Sequence, residues 1–186
     1  MWRTIFVLLL GLSSQTVAGD FNITGWGPYK FGMIRIAVQA AADWHECKEV
    51  RCPWGPAYRI TRPADGVKYA VVIFSPKNRC CEIAVVLETA DAEAVKARLV
   101  KSYGKPESKP PLHEGDATWM CERYSIMLTR GGLSDVIDTF VGVDTREDGI
   151  VVIYTSRTIM RADVGQLNRE NDVREKRRVD PNTPPL

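Results

Sequence analysis

Residues 82–106 read EIAVVLETADAEAVKARLVKSYGKP, and they contain the clearest strand and the clearest helix in the chain. Glu82 to Glu88 is an apolar run of strand length with a charge at each end. From Ala92 to Tyr103, apolar residues recur at the three-and-four spacing of one buried helix face. Gly104 ends the periodic pattern. The stretch therefore predicts a strand and then a helix, with Thr89 as the N-cap residue.

A similar order of elements precedes this stretch. A strand-like piece at 28–33 leads into residues 34–43, where alanines favour a helix. Two further strand patterns follow, at 57–62 and 67–75. They are separated by Pro-Ala-Asp-Gly at 63–66, which is typical of a tight hairpin connection.

After the central helix, the pattern predicts two more strands, at 118–129 and 150–156. Residues 133–141 between them fit either a short helix or a hairpin strand. Sequential strands joined by short turns pair antiparallel, and each helix must bury its apolar side on the sheet. The predicted class is therefore α+β, an antiparallel sheet with two main helices packed on one face. The repeated order is that of a tandem β-α-β-β duplication.

Two short motifs connect the chain to known proteins. Phe31-Gly32-Met33 stands before the first helix, and Tyr103-Gly104-Lys105-Pro106 ends the second. These motifs resemble those of small exported proteins of proteobacteria. More distantly, a Gly-Met pair opening a helix that is followed by strands is similar to the outer-membrane assembly lipoprotein and β-lactamase-inhibitor-like folds. The resemblance implies a bacterial periplasmic protein that works by contact rather than by catalysis, although the chain lacks the anchor cysteine of the lipoprotein family.

The N-terminus has the three parts of a secretory signal peptide. Arg3 supplies a positive start, an apolar run covers Ile5 to Leu12, and small residues follow at 16–19. The run is too short for a membrane anchor, because spanning a bilayer takes about 20 apolar residues. We expect a leader at 1–19, cleaved after Ala18 or Gly19. The mature protein is then expected to be periplasmic or secreted, without a membrane span.

The mature chain divides into one domain and a tail. Residues 20–160 suit a single α+β domain, and residues 161–186 form a charged, Pro-ended tail that is helical or disordered.

The whole chain has 25 basic residues and 23 acidic ones, and the leader removes one basic residue, Arg3. This near-neutral balance argues against nucleic acid as a partner, because a nucleic-acid binder needs a strongly basic face.

Five cysteines in an exported chain are expected first to form disulfides. Cys47 and Cys52 are predicted to close a small turn, which requires their α-carbons to lie within about 7 Å. Strand alternation places Cys80 and Cys121 on the outer faces of their strands, so they are predicted to pair if these strands are neighbours. Cys81 shares a face with core residues and is predicted to be a buried free thiol.

An aromatic and basic group surrounds the predicted Cys47–Cys52 link. Trp44, His45, Arg51 and Trp54 are the candidate binding residues, because Trp and Arg dominate binding hot spots and a covalent link lowers the entropy lost on docking. The alternative interpretation is that these tryptophans cap the core.

Metal and catalytic patterns are weak. His45, Cys47 and Cys52 are potential zinc ligands, but their spacing matches no familiar zinc pattern, so neither a metal nor another cofactor is predicted. The sequence has no Gly-x-Ser-x-Gly or Cys-x-x-Cys motif, and only His45 and His113 are available as imidazole bases. No catalytic residue is predicted.

These observations favour a non-catalytic periplasmic binding or inhibitor-like module, with an unknown protein or small ligand of the cell envelope as its partner. Two other functions remain open from the sequence. One is a small hydrolase or redox enzyme that uses His45 or a cysteine, and the other is a structural factor of the cell envelope.

Overall fold

Long antiparallel strands dominate the computed structural model, which describes residues 21–42, 46–52, 55–89, 91–107, 116–130 and 149–179. A short hairpin comes first, β1 (Gly25–Trp26) and β2 (Tyr29–Lys30). The larger sheet consists of β3 (Cys47–Cys52), β4 (Gly55–Thr61), β5 (Val67–Phe74), β6 (Cys80–Leu87), β7 (Ala117–Met120), β8 (Tyr124–Arg130) and β9 (Ile150–Ser156). The helices in the described ranges are α1 (Arg35–Ala41), α2 (Ala92–Tyr103) and α3 (Arg157–Val179).

The strand order of the larger sheet is β3-β4-β5-β6-β9-β8-β7, and every neighbouring pair is antiparallel. The last strand, β9, is inserted between β6 and β8. Gly55 opens β4 at a point of close approach, because a Cβ there would lie 2.5 Å from the carbonyl oxygen of Phe74. The predicted α+β class with an antiparallel sheet is confirmed.

One face of this sheet carries α1 and α2. Val38 of α1 and Leu99 of α2 belong to the same buried cluster as Phe74, Ile83 and Ile126 of the sheet. Both helices bury apolar side chains there, as expected for two main helices packed on one face of the sheet.

The other face of the sheet has a second apolar cluster, formed only by strand residues among those described: Ala57, Tyr69, Val71, Ile73, Ala84, Val86, Val151 and Ile153. The side chains of this cluster are buried. Two buried faces explain why β5, β6 and β9 are almost continuously apolar instead of alternating with polar residues.

Several predicted boundaries are wrong. The single strand expected at 118–129 is two strands, β7 and β8, joined by a turn in which the Cys121 amide donates to the Tyr124 carbonyl oxygen over 2.9 Å. The N-cap of α2 is Asp91, whose side chain accepts from the Ala94 amide, and not Thr89. The element expected at 133–141 lies outside the described residues.

The C-terminal segment is helical as far as Val179. The expected boundary between residues 160 and 161 falls inside α3. Asp163 of this helix is buried and is hydrogen-bonded to Ser75 and Arg79 of the β5–β6 turn, which attaches the helix to the body of the domain.

Candidate functional site

The first turn of α1 presents two large aliphatic side chains on either side of an arginine. Ile34 is 52% exposed and Ile36 is 72% exposed, although isoleucine is among the residues most often found in a core. We call Ile34, Arg35 and Ile36 the α1 patch. It is the main group of exposed large apolar side chains in the described part of the chain.

Arg35 is held in place by the sheet beneath it. Its Nε donates to the hydroxyl oxygen of Tyr58 over 3.1 Å, and its guanidinium carbon lies 5.2 Å from the centre of the Tyr58 ring. Its Nη2 lies 2.9 Å from Oε1 of Glu49 on β3. Tyr58 is itself fixed by an edge-to-face contact with the buried ring of Phe74. The guanidinium is therefore positioned before any partner arrives.

Cys47 begins β3, two residues before the Glu49 that pairs with Arg35. Burial raises the pKa of its thiol, and burial together with the nearby Cys47 and Glu46 raises the pKa of Tyr29. The raised value keeps Cys47 protonated at neutral pH, whereas a nucleophilic or redox-active cysteine needs a thiolate. Cys47 is therefore not poised as a nucleophile at neutral pH.

The predicted Cys47–Cys52 link is wrong. The two residues stand at opposite ends of β3, and β3 pairs with β4 from Cys47↔Ile60 to Cys52↔Gly55. Five strand steps of about 3.3 Å separate their α-carbons by about 16 Å, far beyond the reach of a disulfide. Cys47 is a free thiol.

The predicted Cys80–Cys121 pair is also wrong, for a different reason. β6 and β7 are separated by β9 and β8, so three strand spacings of about 4.8 Å lie between them. The register shifts between Ile73↔Glu82 and Phe74↔Cys80, which leaves Cys81 as an extra residue on β6. This bulge turns Cys80 into the core at 0% exposure, and Cys80 and Cys121 are both free.

The remaining described cysteine, Cys81, is buried as predicted, and it is not part of a disulfide. Its Sγ lies 3.5 Å from the carbonyl oxygen of Ile73 as a hydrogen-bond donor. Burial raises the pKa of the neighbouring Cys80 to about 12, with a smaller contribution from Glu82. Cys80 is therefore protonated and inaccessible at neutral pH.

The candidate binding residues taken from the sequence are only partly within the described ranges. Trp44, His45 and Trp54 lie outside them, and Arg51 is described only as a backbone position of β3. The structure adds Ile34, Arg35 and Ile36, which sequence reasoning did not select. The sequence contained one signal for this patch. Ile36 and Val38 are two residues apart, so they lie on different sides of a helix, and a helix packed on one sheet can bury only one of them.

The described residues contain neither a cluster of metal ligands nor a helix that could cross a membrane. No group of three or more His, Cys, Asp or Glu side chains in these ranges is placed to hold a metal ion. None of the described helices is both long enough and apolar enough to cross a membrane. No family model, curated protein or solved structure matches the chain.

Proposed function

We propose that this chain is an exported, non-catalytic binding module that takes a protein partner of the cell envelope on the α1 patch. The observation that carries the proposal is the exposure of Ile34 and Ile36 beside an arginine that Tyr58 and Glu49 already hold. Arginine is one of the residue types enriched in binding hot spots, and the two exposed isoleucines beside it supply apolar area that a partner would bury.

Arg35 should lose less side-chain entropy on binding a partner than an ordinary surface arginine does. A free arginine loses side-chain entropy when it docks, whereas Arg35 is already restrained by a hydrogen bond, a ring contact and an ion pair. The expected partner surface therefore has an apolar depression for Ile36 and a carboxylate or carbonyl oxygens for the free donors of the guanidinium.

The signal-peptide pattern at 1–19 supports a partner outside the cytoplasm. The raised pKa values of Cys47 and Cys80 favour a binding protein over a thiol-based redox enzyme, because both thiols stay protonated at neutral pH.

A capture experiment tests the patch. Mature protein is immobilised and exposed to envelope extract, and the retained proteins are compared for the wild type, Ile36→Asp and Leu167→Asp. Leu167 is 38% exposed on α3 and provides a matched aliphatic-to-acid control. We expect Ile36→Asp to lose partners that the wild type and Leu167→Asp both retain, with thermal stability unchanged because Ile36 is largely exposed. Equal retention by all three proteins would show that the α1 patch is not the binding surface.

A further inference from the structure

The outer edge of β3 has a defined set of backbone groups. β3 pairs with β4 on one side, and no other described strand pairs with it. The Thr61 amide donates to the Glu46 carbonyl oxygen over 3.0 Å, and hydrogen-bonded positions alternate along an antiparallel pair. The amides and carbonyls of Cys47, Glu49 and Arg51 therefore point away from β4.

The sequence of β3 decides how a second copy fits this edge. When two identical antiparallel strands are related by a two-fold axis perpendicular to the sheet, the residues opposite each other come from the same face. An axis through Val50 sets Glu49 opposite Arg51 of the second copy, twice per dimer. An axis through Glu49 pairs position 49 with itself, and an axis through Arg51 pairs position 51 with itself, so each of these registers brings like charges together. Only the Val50 register matches opposite charges.

We propose that two copies of this chain form a dimer by antiparallel pairing of their β3 strands, with the two-fold axis at Val50. Glu49 and Arg51 are hydrogen-bonded positions in this register, so their outward amides and carbonyls bond across the interface. Val50 meets its own copy at a non-hydrogen-bonded position, where side chains approach closely. The helix-covered face continues from one copy to the other, so both α1 patches lie on the same side of the joined sheet.

Charges on an edge strand also serve to prevent association, and this is the competing explanation for Lys48, Glu49 and Arg51. A single sign of charge would repel a second copy in every register. β3 instead carries both signs at a spacing of two residues, and this spacing brings opposite charges together around Val50. The interface uses one short strand, so we expect a weaker dimer than interfaces of standard size give.

Charge reversal tests the interface on the full mature chain by sedimentation equilibrium. We expect a reversible wild-type dimer, and a dissociation constant raised tenfold or more in Glu49→Arg and in Arg51→Glu. The double variant Glu49→Arg/Arg51→Glu exchanges the signs and is expected to dimerise more tightly than either single variant. Full recovery is not expected, because an arginine at position 49 also faces Arg35 of its own copy. Lys48→Glu, on the opposite face of β3, is the control with an unchanged constant. A monomeric wild type, or a dimer that no single reversal weakens, overturns the proposal.

Cross-linking tests the register in a Cys47→Ser/Cys52→Ser background. At the Val50 axis the two α-carbons are about 4.5 Å apart, within the range that a disulfide requires. We expect Val50→Cys to form a covalent dimer under mild oxidation and Glu49→Cys to form much less. A dimer that cross-links at position 49 and not at position 50 overturns the proposed register. Ile36→Asp should dimerise normally, so failure of the α1 patch and failure of the dimer give separate readouts.

Discussion

Arg79 and Asp163, which are 84 residues apart in the chain, form an ion pair with 2.5 Å between Nη2 and Oδ1. The Asp163 side chain is 1% exposed and that of Arg79 is 40% exposed. The Arg79 Nε donates to Oδ2 of the same carboxylate over 3.1 Å, and the Ser75 hydroxyl also donates to Oδ2. Lys77 donates to Gln166 one turn further along α3. These contacts attach a helix of mostly polar sequence to the β5–β6 turn.

Removing the Asp163 carboxylate should therefore loosen α3. We expect Asp163→Ala to lower the free energy of unfolding by about 1 to 3 kcal/mol, the usual cost of leaving hydrogen-bonding groups without their partner. Chemical denaturation followed by circular dichroism measures this change. Glu88→Gln, at an exposed site beyond β6, is the control and should change stability by less than about 0.5 kcal/mol. Equal stabilities of Asp163→Ala and the wild type would contradict this role of the carboxylate.

The same residue predicts a loss of stability in acid. Burial alone would raise the pKa of Asp163, but hydrogen bonds from Arg79 and Ser75 and the charge of Lys77 lower it below its ordinary 3.8. A lowered pKa in the folded state contributes stability above the ordinary value, and this stability is lost as the pH falls through the folded value. The difference in unfolding free energy between the wild type and Asp163→Asn should therefore be constant above about pH 5 and shrink below pH 3.8.

Glu82 should show the opposite dependence. It lies on β6 beside Thr155 of β9, whose hydroxyl donates to it over 3.1 Å, and burial raises its pKa above the ordinary 4.5. Charging this carboxyl is unfavourable in the folded state, so stability falls as the pH rises through the folded pKa. We expect Glu82→Gln to raise the free energy of unfolding at pH 7 by about 1 kcal/mol, with little difference from the wild type at pH 4. A variant less stable than the wild type at pH 7 would contradict this assignment.

The sequence predicted the parts of the fold that local signals decide. α2 carries the predicted apolar spacing and ends where Gly104 indicates, because these signals lie within the helix or directly after it. β3 was missed because two cysteines, two positive charges and one negative charge in six residues do not alternate as a strand does. Its extended conformation depends on pairing with β4, which is a tertiary contact.

The errors at the cysteines have one physical origin. Alternation along β6 predicts an outward Cys80 and an inward Cys81. The bulge opposite Phe74 adds one residue to β6, so Cys80, which precedes the bulge, lies on the opposite face from the one predicted. A bulge depends on how two strands meet, and no residue type in Cys80-Cys81-Glu82 signals it. The α1 patch was missed for a similar reason, since only the packed structure distinguishes the exposed Ile36 from the buried Val38.

Thiol labelling checks the revised cysteine assignment. We expect peptide mapping without reduction to find no Cys47–Cys52 link and no Cys80–Cys121 link. In the native protein at pH 8, iodoacetamide should modify the partly exposed Cys121 and leave Cys80 unmodified, since Cys80 is inaccessible and its pKa is raised to about 12. Denaturation should make both reactive. Labelling of Cys80 as fast as Cys121 in the native protein would show that the β6 bulge does not bury it.

The start of α2 allows a matched comparison between two neighbouring polar residues. Asp91 accepts a hydrogen bond from the Ala94 amide over 2.9 Å, and Thr89 accepts one from the Asp91 amide over 3.1 Å. The Asp91 side chain satisfies an amide of the helix itself and places a negative charge at the helix N-terminus. The Thr89 hydroxyl instead orders an exposed turn before the helix.

We therefore expect Asp91→Ala to lower the free energy of unfolding by about 1 kcal/mol and Thr89→Ala to lower it by less than half as much. Both residues are exposed, so neither substitution leaves a cavity, and the comparison by denaturant unfolding isolates the capping contribution. If Thr89→Ala lowered the free energy of unfolding more than Asp91→Ala, Thr89 and not Asp91 would be the N-cap residue.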